Sequence, residues 1–562
     1  MWRIVKWVLW GAPGSLGGVI ALDSQDVLDL THYPIFRAIR TGITTASIIL
    51  DYKWSLYKLE VDSKEYETAK SQTHSRSAKK MLTLCWRNRG TYIKVGQHLG
   101  GMDYLLPPEY TKVLKVLHSQ APQSTMQEIE QVVKEDLKVK SLDEIFTDFE
   151  ETPLGTASLA QVHRAKLRRD GSRVAVKVQH PSVRDLAHKD MNMMDRALRC
   201  VKQVFPDFNL MWLGEETRRN LPIELDFTME VKNCEEASAN LKCFSWVKLP
   251  KVYHKYSTDR VLVMEYFEGG QVNDKSYFKE HSINFNRVSR LLGKLFSEMI
   301  FVHGFVHCDP HPGNILVRWR PKKQTSLLQK VWSFFSKDFG EDLELVLLDH
   351  GLYRRLTKEF RYNYAGLWQA IINTDVKDME KYARAIGGGD LYPILVTIVT
   401  GRAWKVVGQD GIKKVKFSKQ EDDAIRSGVG GFLPDISQVL SNVPSDMLLV
   451  LKTNDHLRGL EYAYGVRGHA SGFLDMSRCC LRALRDLKLE MAPSSQRNII
   501  FRIQCHLRLL VDLAKISLYE LFLWIREFSV AKSKSEQKSL KETFQDATVC
   551  ESNNSFSGEV FV

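Results

Sequence analysis

The sequence predicts an α+β protein of two lobes, one small and β-rich, one large and α-rich, with helices before and after them. Three observations predict this. Apolar residues recur at helical spacing up to about residue 145. The spacing then changes to strand-like runs through 159–179, separated by turn residues. From about residue 286 helical spacing returns and dominates, broken by short strands near 315–317 and 344–348. At 562 residues the chain is also too long for one ordinary core.

In chain order, Arg3 and Lys6 precede an uncharged run, "WVLWGAPGSLGGVIAL" (7–22), and the first acidic residue is Asp23. The run is short for a membrane span of about 20 residues and is broken by Gly and Pro. Residues 1–25 are therefore expected to be an organelle-targeting segment or membrane anchor. Residues 26–145 read as a helical extension. Within it, "PPEYTKVLKVLHSQ" (107–120) starts a helix with Pro in its first turn, and "STMQEIEQVVKEDL" (124–137) carries Ser124 and Gln127 as a capping box. The small lobe is expected over 146–268: "LAQVHRAKL" (159–167) and "VAVKVQ" (174–179) as strands about an Asp-Gly turn, helix over 212–242, and "RVLVMEYFEGG" (260–270) as a strand ending in a Gly pair. The large lobe follows over 269–480 and further helices over 481–530. The polar Ser/Lys/Glu-rich tail, 531–562, reads as disordered.

Composition narrows the function. The chain is 44% hydrophobic and 26% charged, as a globular protein is. Nine scattered cysteines without a C-x-x-C pair argue against a disulfide framework and a zinc ribbon. A net charge of +12 suits an anionic membrane surface or a phosphorylated ligand. No nucleic-acid-binding signature accompanies it. "GSLGG" (14–18) and "GVGGF" (428–432) lack the strand–loop–helix context of a dinucleotide site and read as turns.

The densest chemistry lies in "FVHGFVHCDPHPGNIL" (301–316). His307, Cys308, Asp309 and His311 carry metal-binding donors, but Pro310 and Pro312 preclude the helix that would bring them to one face. The alternatives are a structural turn and a phosphate-transfer loop. The last needs an Asp, an Asn five residues on, and a second Asp where a later strand ends. Asp309, Asn314 and Asp349 meet that pattern, Asp349 closing the apolar run "LELVLLDHGL". Mg²⁺ takes hard oxygen ligands, one or two of them carboxylates, beside substrate phosphates. Asn314 and Asp349 would hold it, and Asp309 would face the attacking hydroxyl or water. Lys177, set among apolar residues in a strand, calls for an anionic partner, which Glu230 on the following helix supplies. Gly155, Thr156, Ala157 and Ser158 form a small-residue loop that lets backbone approach phosphates. "MEYFEGG" offers the Glu265 carbonyl and the Phe267 amide to a purine edge.

This order resembles the protein-kinase-like fold, and specifically the UbiB or AarF-domain-containing atypical kinases. "KVGQ" holds Lys94 and Gln97 of that family's K-x-G-Q motif, and "ELDFTMEVKN" (224–233) holds its E-x-D pair, Glu224 and Asp226, ahead of Glu230. The family's P-x-A-A-A-S loop corresponds to Pro153–Ser158, with Gly155 and Thr156 in place of two alanines, and its D-F-G is Asp-His-Gly. The resemblance implies ATP and Mg²⁺ as cofactors and an extension folded over the place where a protein substrate would lie. It also implies a mitochondrial, inner-membrane setting with a role in coenzyme Q and lipid homeostasis. A lipid or lipid-linked small molecule then becomes the expected partner. The residues agree on one point: no long activation segment and no Ala-Pro-Glu anchor separate Asp349 from the helical pattern starting near Thr357.

A last expectation concerns 318–342, "RWRPKKQTSLLQKVWSFFSKDFGED", where a tight hairpin would suffice. Arg318, Arg320, Lys322 and Lys323 form a basic entry to an apolar face of Leu327, Leu328, Val331, Trp332, Phe334 and Phe335. It reads either as packing on the large lobe or as an amphipathic helix at a membrane surface.

Overall fold

The computed structural model describes residues 31–518, apart from 62, 103–105, 119–120, 207–210, 321–341, 401–438, 440–441, 465–469 and 494–497. The expected targeting segment, both glycine clusters, the aromatic part of the insert and the polar tail lie outside the described residues.

The extension begins with α1 (Pro34–Ser55), α2 (Lys64–Asn88), α3 (Thr91–Gly100) and α4 (Pro108–Leu114), the last tightening into a 3₁₀ turn at Lys115–His118. Ser63 caps α2 by accepting the Tyr66 amide. Close packing explains Gly96 of "KVGQ": a Cβ there would lie 2.4 Å from Leu117 Cδ1 and 3.0 Å from Cys85 Sγ, so α3 must run glycine-first against α2 and the 3₁₀ turn.

Helix α5 (Met126–Leu137) is capped by Thr125, not by Ser124. Thr125 accepts the Glu128 amide, and Glu128 returns its carboxylate to the Thr125 amide. Two overlapping frames satisfy the capping pattern, and the later one wins. Ser124 is thereby free to tie the helix to the sheet, through Gln161 and His180, each at 2.9 Å.

The small-lobe sheet is antiparallel in the order β1–β3–β4–β6, with β2 also on β3. Its strands are β1 (Phe146–Thr147), β2 (Gly155–Thr156), β3 (Ala160–Leu167), β4 (Arg173–Gln179) and β6 (Val261–Glu265). Val174, Val176 and Val178 point to one face and pack with Ile129, Val132 and Val133 of α5. Full burial of each such side chain contributes about 1.5–3 kcal/mol. After α6 (Val183–Val204), the helix expected over 212–242 is two helices, α7 (Met211–Glu224) and α8 (Phe227–Asn240). The break occurs because Asp226 leaves helical geometry to cap α8 through the Thr228 amide.

The large lobe opens with β7 (Gly270–Gln271), α9 (Lys275–Glu280) and α10 (Phe285–Ser297), which runs into a π turn at Glu298–His303. A four-stranded sheet in the order β5–β10–β9–β7 joins β5 (Val247–Lys248), β10 (Leu343–Leu347) and β9 (Ile315–Trp319) to β7, while β8 (Phe305–His307) pairs with β11 (Tyr353–Arg355). Then come α11 (Lys358–Asn373), α12 (Val376–Ala385), α13 (Tyr392–Thr400), α14 (Ser445–Ala463), α15 (Ala470–Met491) and a helix α16 over 499–518. The whole is the α+β, two-lobed, protein-kinase-like fold expected.

Packing draws three boundaries differently from the sequence. Helix α5 belongs to the small-lobe core, so that lobe begins before 146. Helices α3 and α4 share one continuous core with the large lobe, in which Tyr92, Ile93, Leu114 and Leu117 join Phe301, Phe360, Tyr364 and Leu451. The boundary at 480 falls inside α15. The insert is also shorter than 318–342, because Arg318 and Trp319 are strand residues. Arg318 pairs with buried Glu344 and lies 4.8 Å over the Phe267 ring, so it is not a basic entry to a membrane face.

Candidate active site

Strand alternation sets the first residue of the site. With Val174, Val176 and Val178 turned to α5, Ala175 and Lys177 turn to the opposite face, toward Phe227 and Val231 of α8. Lys177 Nζ lies 2.9 and 2.8 Å from the two oxygens of Glu230 and 3.1 Å from Asp349 Oδ2. Burial works against the ammonium, but Asp349 and Glu230 outweigh it and hold the lysine charged, its pKa raised.

Asp349 follows β10 as the apolar run ends. Its Oδ1 accepts the Gly351 amide at 2.9 Å, and about a third of its side chain is exposed. Burial raises its pKa, yet the Lys177 charge and the Gly351 amide prevail and bring it down to about 2. The following His350 is buried and locked. Its amide donates to Glu230, its Nε2 to the Leu347 carbonyl, and its Nδ1 accepts from the Tyr353 hydroxyl. Burial, then the neighbouring His307, depress its pKa to about 3, so it is a neutral spacer where a phenylalanine stands in the usual motif.

The loop after β8 carries Asp309 and Asn314. Asn314 Nδ2 donates to the Asp309 carbonyl at 3.2 Å, which leaves its Oδ1 as the available ligand atom. Its own carbonyl accepts the Leu348 amide at 2.9 Å, tying this loop to the strand that delivers Asp349. One carboxylate and one amide oxygen, both hard donors, suit Mg²⁺. The zinc alternative does not fit. Cys308 is fully buried, its thiol directed to the Val306 carbonyl and its pKa pushed up to about 12 by burial. Among the described residues no group of three or more His, Cys, Asp or Glu is arranged to hold a metal ion.

The extension supplies a further cation. Lys94 on α3 forms a buried ion pair with Glu224 at the end of α7. Burial opposes its charge, but Glu224, then Asp309 and Asp349, raise its pKa. The other motif residues do not converge with it. Gln97 donates from Nε2 to the Leu117 carbonyl at 3.0 Å, inside the extension, and Asp226 is a helix cap.

The small-residue loop is a tight hairpin. The Ala157 amide is committed to the Ala160 carbonyl at 2.8 Å, so that amide is not offered to a ligand. Ser158 is buried and lines a small cavity of about 40 Å³ beside α3. Gly155 is exposed, and a Cβ there would meet nothing within 4 Å, which leaves room for a ligand above it. Thr156 Oγ1 is buried without a hydrogen-bond partner among the described residues. Glu265 ends β6, and Phe267 follows in the linker between lobes. Just past the linker, β7 runs so close to α9 that a Cβ on Gly270 would fall 2.1 Å from the Tyr277 ring.

One partner of Asp309 escaped the motif reading. Lys452 of α14 places Nζ 3.0 Å from Asp309 Oδ1 and holds the carboxyl well below its ordinary range against burial. Its signal in the sequence was a lysine inside the apolar helical run "MLLVLKTND". Around the pair gather His118, stacked on His311 at 4.6 Å, and His456. Burial brings His118 and His456 down to about 3, so both are neutral.

Comparison with known proteins agrees with this geometry. Residues 116–383 match the family model described as the ABC1 atypical kinase-like domain. The chain is 50% identical to the chicken (Gallus gallus) AarF domain-containing protein kinase 1, covering 90% of this chain and 93% of that one. It is 43% identical to the Drosophila melanogaster AarF domain-containing kinase 1, covering 94% and 97%. It is 37% identical to the ABC1 family protein MCP2 homolog of Schizosaccharomyces pombe, covering 86% of each.

Proposed function

The chain belongs to the ABC1 atypical kinase-like family of AarF-domain-containing proteins, and from that premise we propose that it is an ATP- and Mg²⁺-dependent phosphotransferase or ATPase of mitochondria. It acts at the inner membrane on a lipid or lipid-linked small molecule, in lipid or coenzyme Q homeostasis. Lys177 holds the nucleotide phosphates, Glu230 orients Lys177, and Asn314 and Asp349 hold the metal. Bound there, the metal would supply neutralisation of charge on the phosphates. Asp309, kept ionised by Lys452, accepts the proton of an attacking hydroxyl or water. Glu265 and Phe267 face the purine, and the loop 155–158 covers the phosphates.

The observation that carries a small acceptor is the place of α3. This helix shares the large-lobe core and sets Lys94 against Glu224 and within the field of Asp309 and Asp349. A peptide would compete with it. From Asp349 the chain reaches α11 after the short strand β11, which leaves no segment on which a peptide could dock. A second reading, a nucleotide-dependent lipid-binding switch, is favoured by the Lys177–Asp349 contact between lobes. A metal held by Asp349 would compete with that contact and so bear on how the lobes meet.

The test is ATP carrying a labelled γ-phosphate, given to the purified chain with Mg²⁺ and with vesicles containing phospholipids and prenylated phenols. Labelled lipid supports phosphotransfer. ADP release without labelled lipid supports the switch. ADP release unchanged in Asp309→Asn would overturn the assignment of the site in both readings.

A further inference from the structure

Helix α16 stands apart from the catalytic machinery and is built for two surfaces. Phe501, Cys505, Leu509, Leu513 and Ile516 are partly buried and form its inner face. Against α15, Lys488 lies 5.9 Å over the Phe501 ring and Arg485 meets His506 at 2.9 Å. Docking is thus already achieved by one side. The other side carries Ile499, Ile500, Ile503, Leu507, Leu510, Val511 and Leu518, every one more than half exposed and Ile499 reaching 74%. At 3.6 residues per turn these seven fall within one arc of about 120°, an aliphatic stripe shared with Ala514 and with Ser517 at one edge. Scattered exposed aliphatics need no explanation, but seven gathered on one arc mark an interaction surface.

The charges beside the stripe say what covers it. Arg508 and Lys515 border one edge, both exposed, while Arg502, also exposed, lies further round between Leu509 and Leu513. The helix has one acidic residue over 499–518, Asp512, which lies on the inner side and pairs with Lys515 at 3.0 Å. Two copies packed stripe to stripe and antiparallel would set the Arg508 and Lys515 border of each against that of the other, which is repulsive. An anionic bilayer accepts both features at once. Aliphatics enter the acyl boundary while Arg508 and Lys515 along the border meet headgroups.

We propose that α16 lies in the plane of an anionic membrane and seats the large lobe on it. This deepens the membrane reading above and rests on it. It concerns an element separate from the insert at 318–342.

The test uses the full chain with benzoylphenylalanine, an ultraviolet-activated cross-linking residue, in place of Leu507. Vesicles contain phosphatidylcholine with cardiolipin. The expected product carries one phospholipid by mass, and phosphatidylcholine alone yields far less of it. In flotation, Arg508→Glu/Lys515→Glu is expected to lose on the order of thirtyfold or more in partitioning to the anionic vesicles. Ile503→Ser/Leu507→Ser/Leu510→Ser is expected to lose about tenfold or more while keeping its thermal midpoint, since all three side chains are exposed. Flotation of the full chain without a lipid adduct at 507 overturns this inference and leaves the membrane reading intact. Failure of the native chain to float overturns both. A cross-link to a second copy or to the chain's own residues, with none to lipid, assigns the stripe elsewhere and overturns the inference.

Discussion

Replacing Lys177 probes the centre of the site, and the structure sets the expected cost. Its side chain is 10% exposed and that of Glu230 is 3% exposed, with Nζ–O separations of 2.8 and 2.9 Å. At an effective dielectric of about 20, one such contact is worth about 6 kcal/mol of attraction, most of it offset by the desolvation of both ions. Lys177→Met keeps the bulk of the stem and strands Glu230 and Asp349 together. A loss of about 3–5 kcal/mol is expected. Glu230→Gln is gentler, at about 1–3 kcal/mol, because Lys177 keeps Asp349 and the amide oxygen still accepts the His350 amide. The double variant removes both buried charges and should cost at least about 1 kcal/mol less than the sum. Burial already raises the pKa of Glu230, and removing Lys177 raises it further. A carboxyl with a raised folded pKa stabilises most below its unfolded value, and that contribution disappears as pH rises through the folded value. The deficit of Lys177→Met relative to the native chain should therefore shrink as pH falls from 8 toward 5. Urea unfolding followed by tryptophan fluorescence measures each term. Additivity to within about 0.5 kcal/mol, or a deficit independent of pH, would refute the coupled pair.

Three further outcomes are expected. Asp349→Asn should weaken nucleotide binding with Mg²⁺ far more than without it, read as nucleotide-dependent thermal shifts; equal loss in both conditions would contradict the metal assignment. Lys94→Met strands buried Glu224 and should cost about 3–5 kcal/mol, which Lys94→Met/Glu224→Gln recovers in part. If α3 acts on the cleft, that recovered variant still shows altered nucleotide preference or turnover, whereas native kinetics would reduce the pair to a structural tie. Acid should unfold the protein early, because His118, His350 and His456 have folded pKa values near 3 against 6.5 unfolded. Their contribution is complete above 6.5 and is lost as pH falls toward 3, at about 1.4 kcal/mol per unit for each. His350→Phe should make that acid limb shallower by about 1.4 kcal/mol per pH unit, and an unchanged slope would show that His350 does not titrate with unfolding.

Motif spacing was enough to single out residues that the fold brings together, Lys177 with Glu230 and Asp349 and Asn314 with Asp309, because these depend on local rules. A lysine in a β-strand's apolar run, an Asp that ends a buried strand and an Asp-x₄-Asn loop each announce a side chain held against its surroundings. The helical extension, the hairpin at 160–179 and the helix after Thr357 were legible for the same reason, since period and capping are properties of neighbouring residues. Even there, overlapping frames such as Ser124/Gln127 and Thr125/Glu128 were settled by what lay across space, Gln161 and His180. The rest was non-local. Lys452 reaches Asp309 across 143 positions, and nothing local distinguishes an ionic partner from a solvated lysine. The split of the E-x-D pair into a partner for Lys94 and a helix cap depends on where α7 ends against α3. Helix α16 shows the same limit from the other side. Both of its faces are apolar in sequence, and only packing against α15 decides which one is spent on the fold and which remains for a partner.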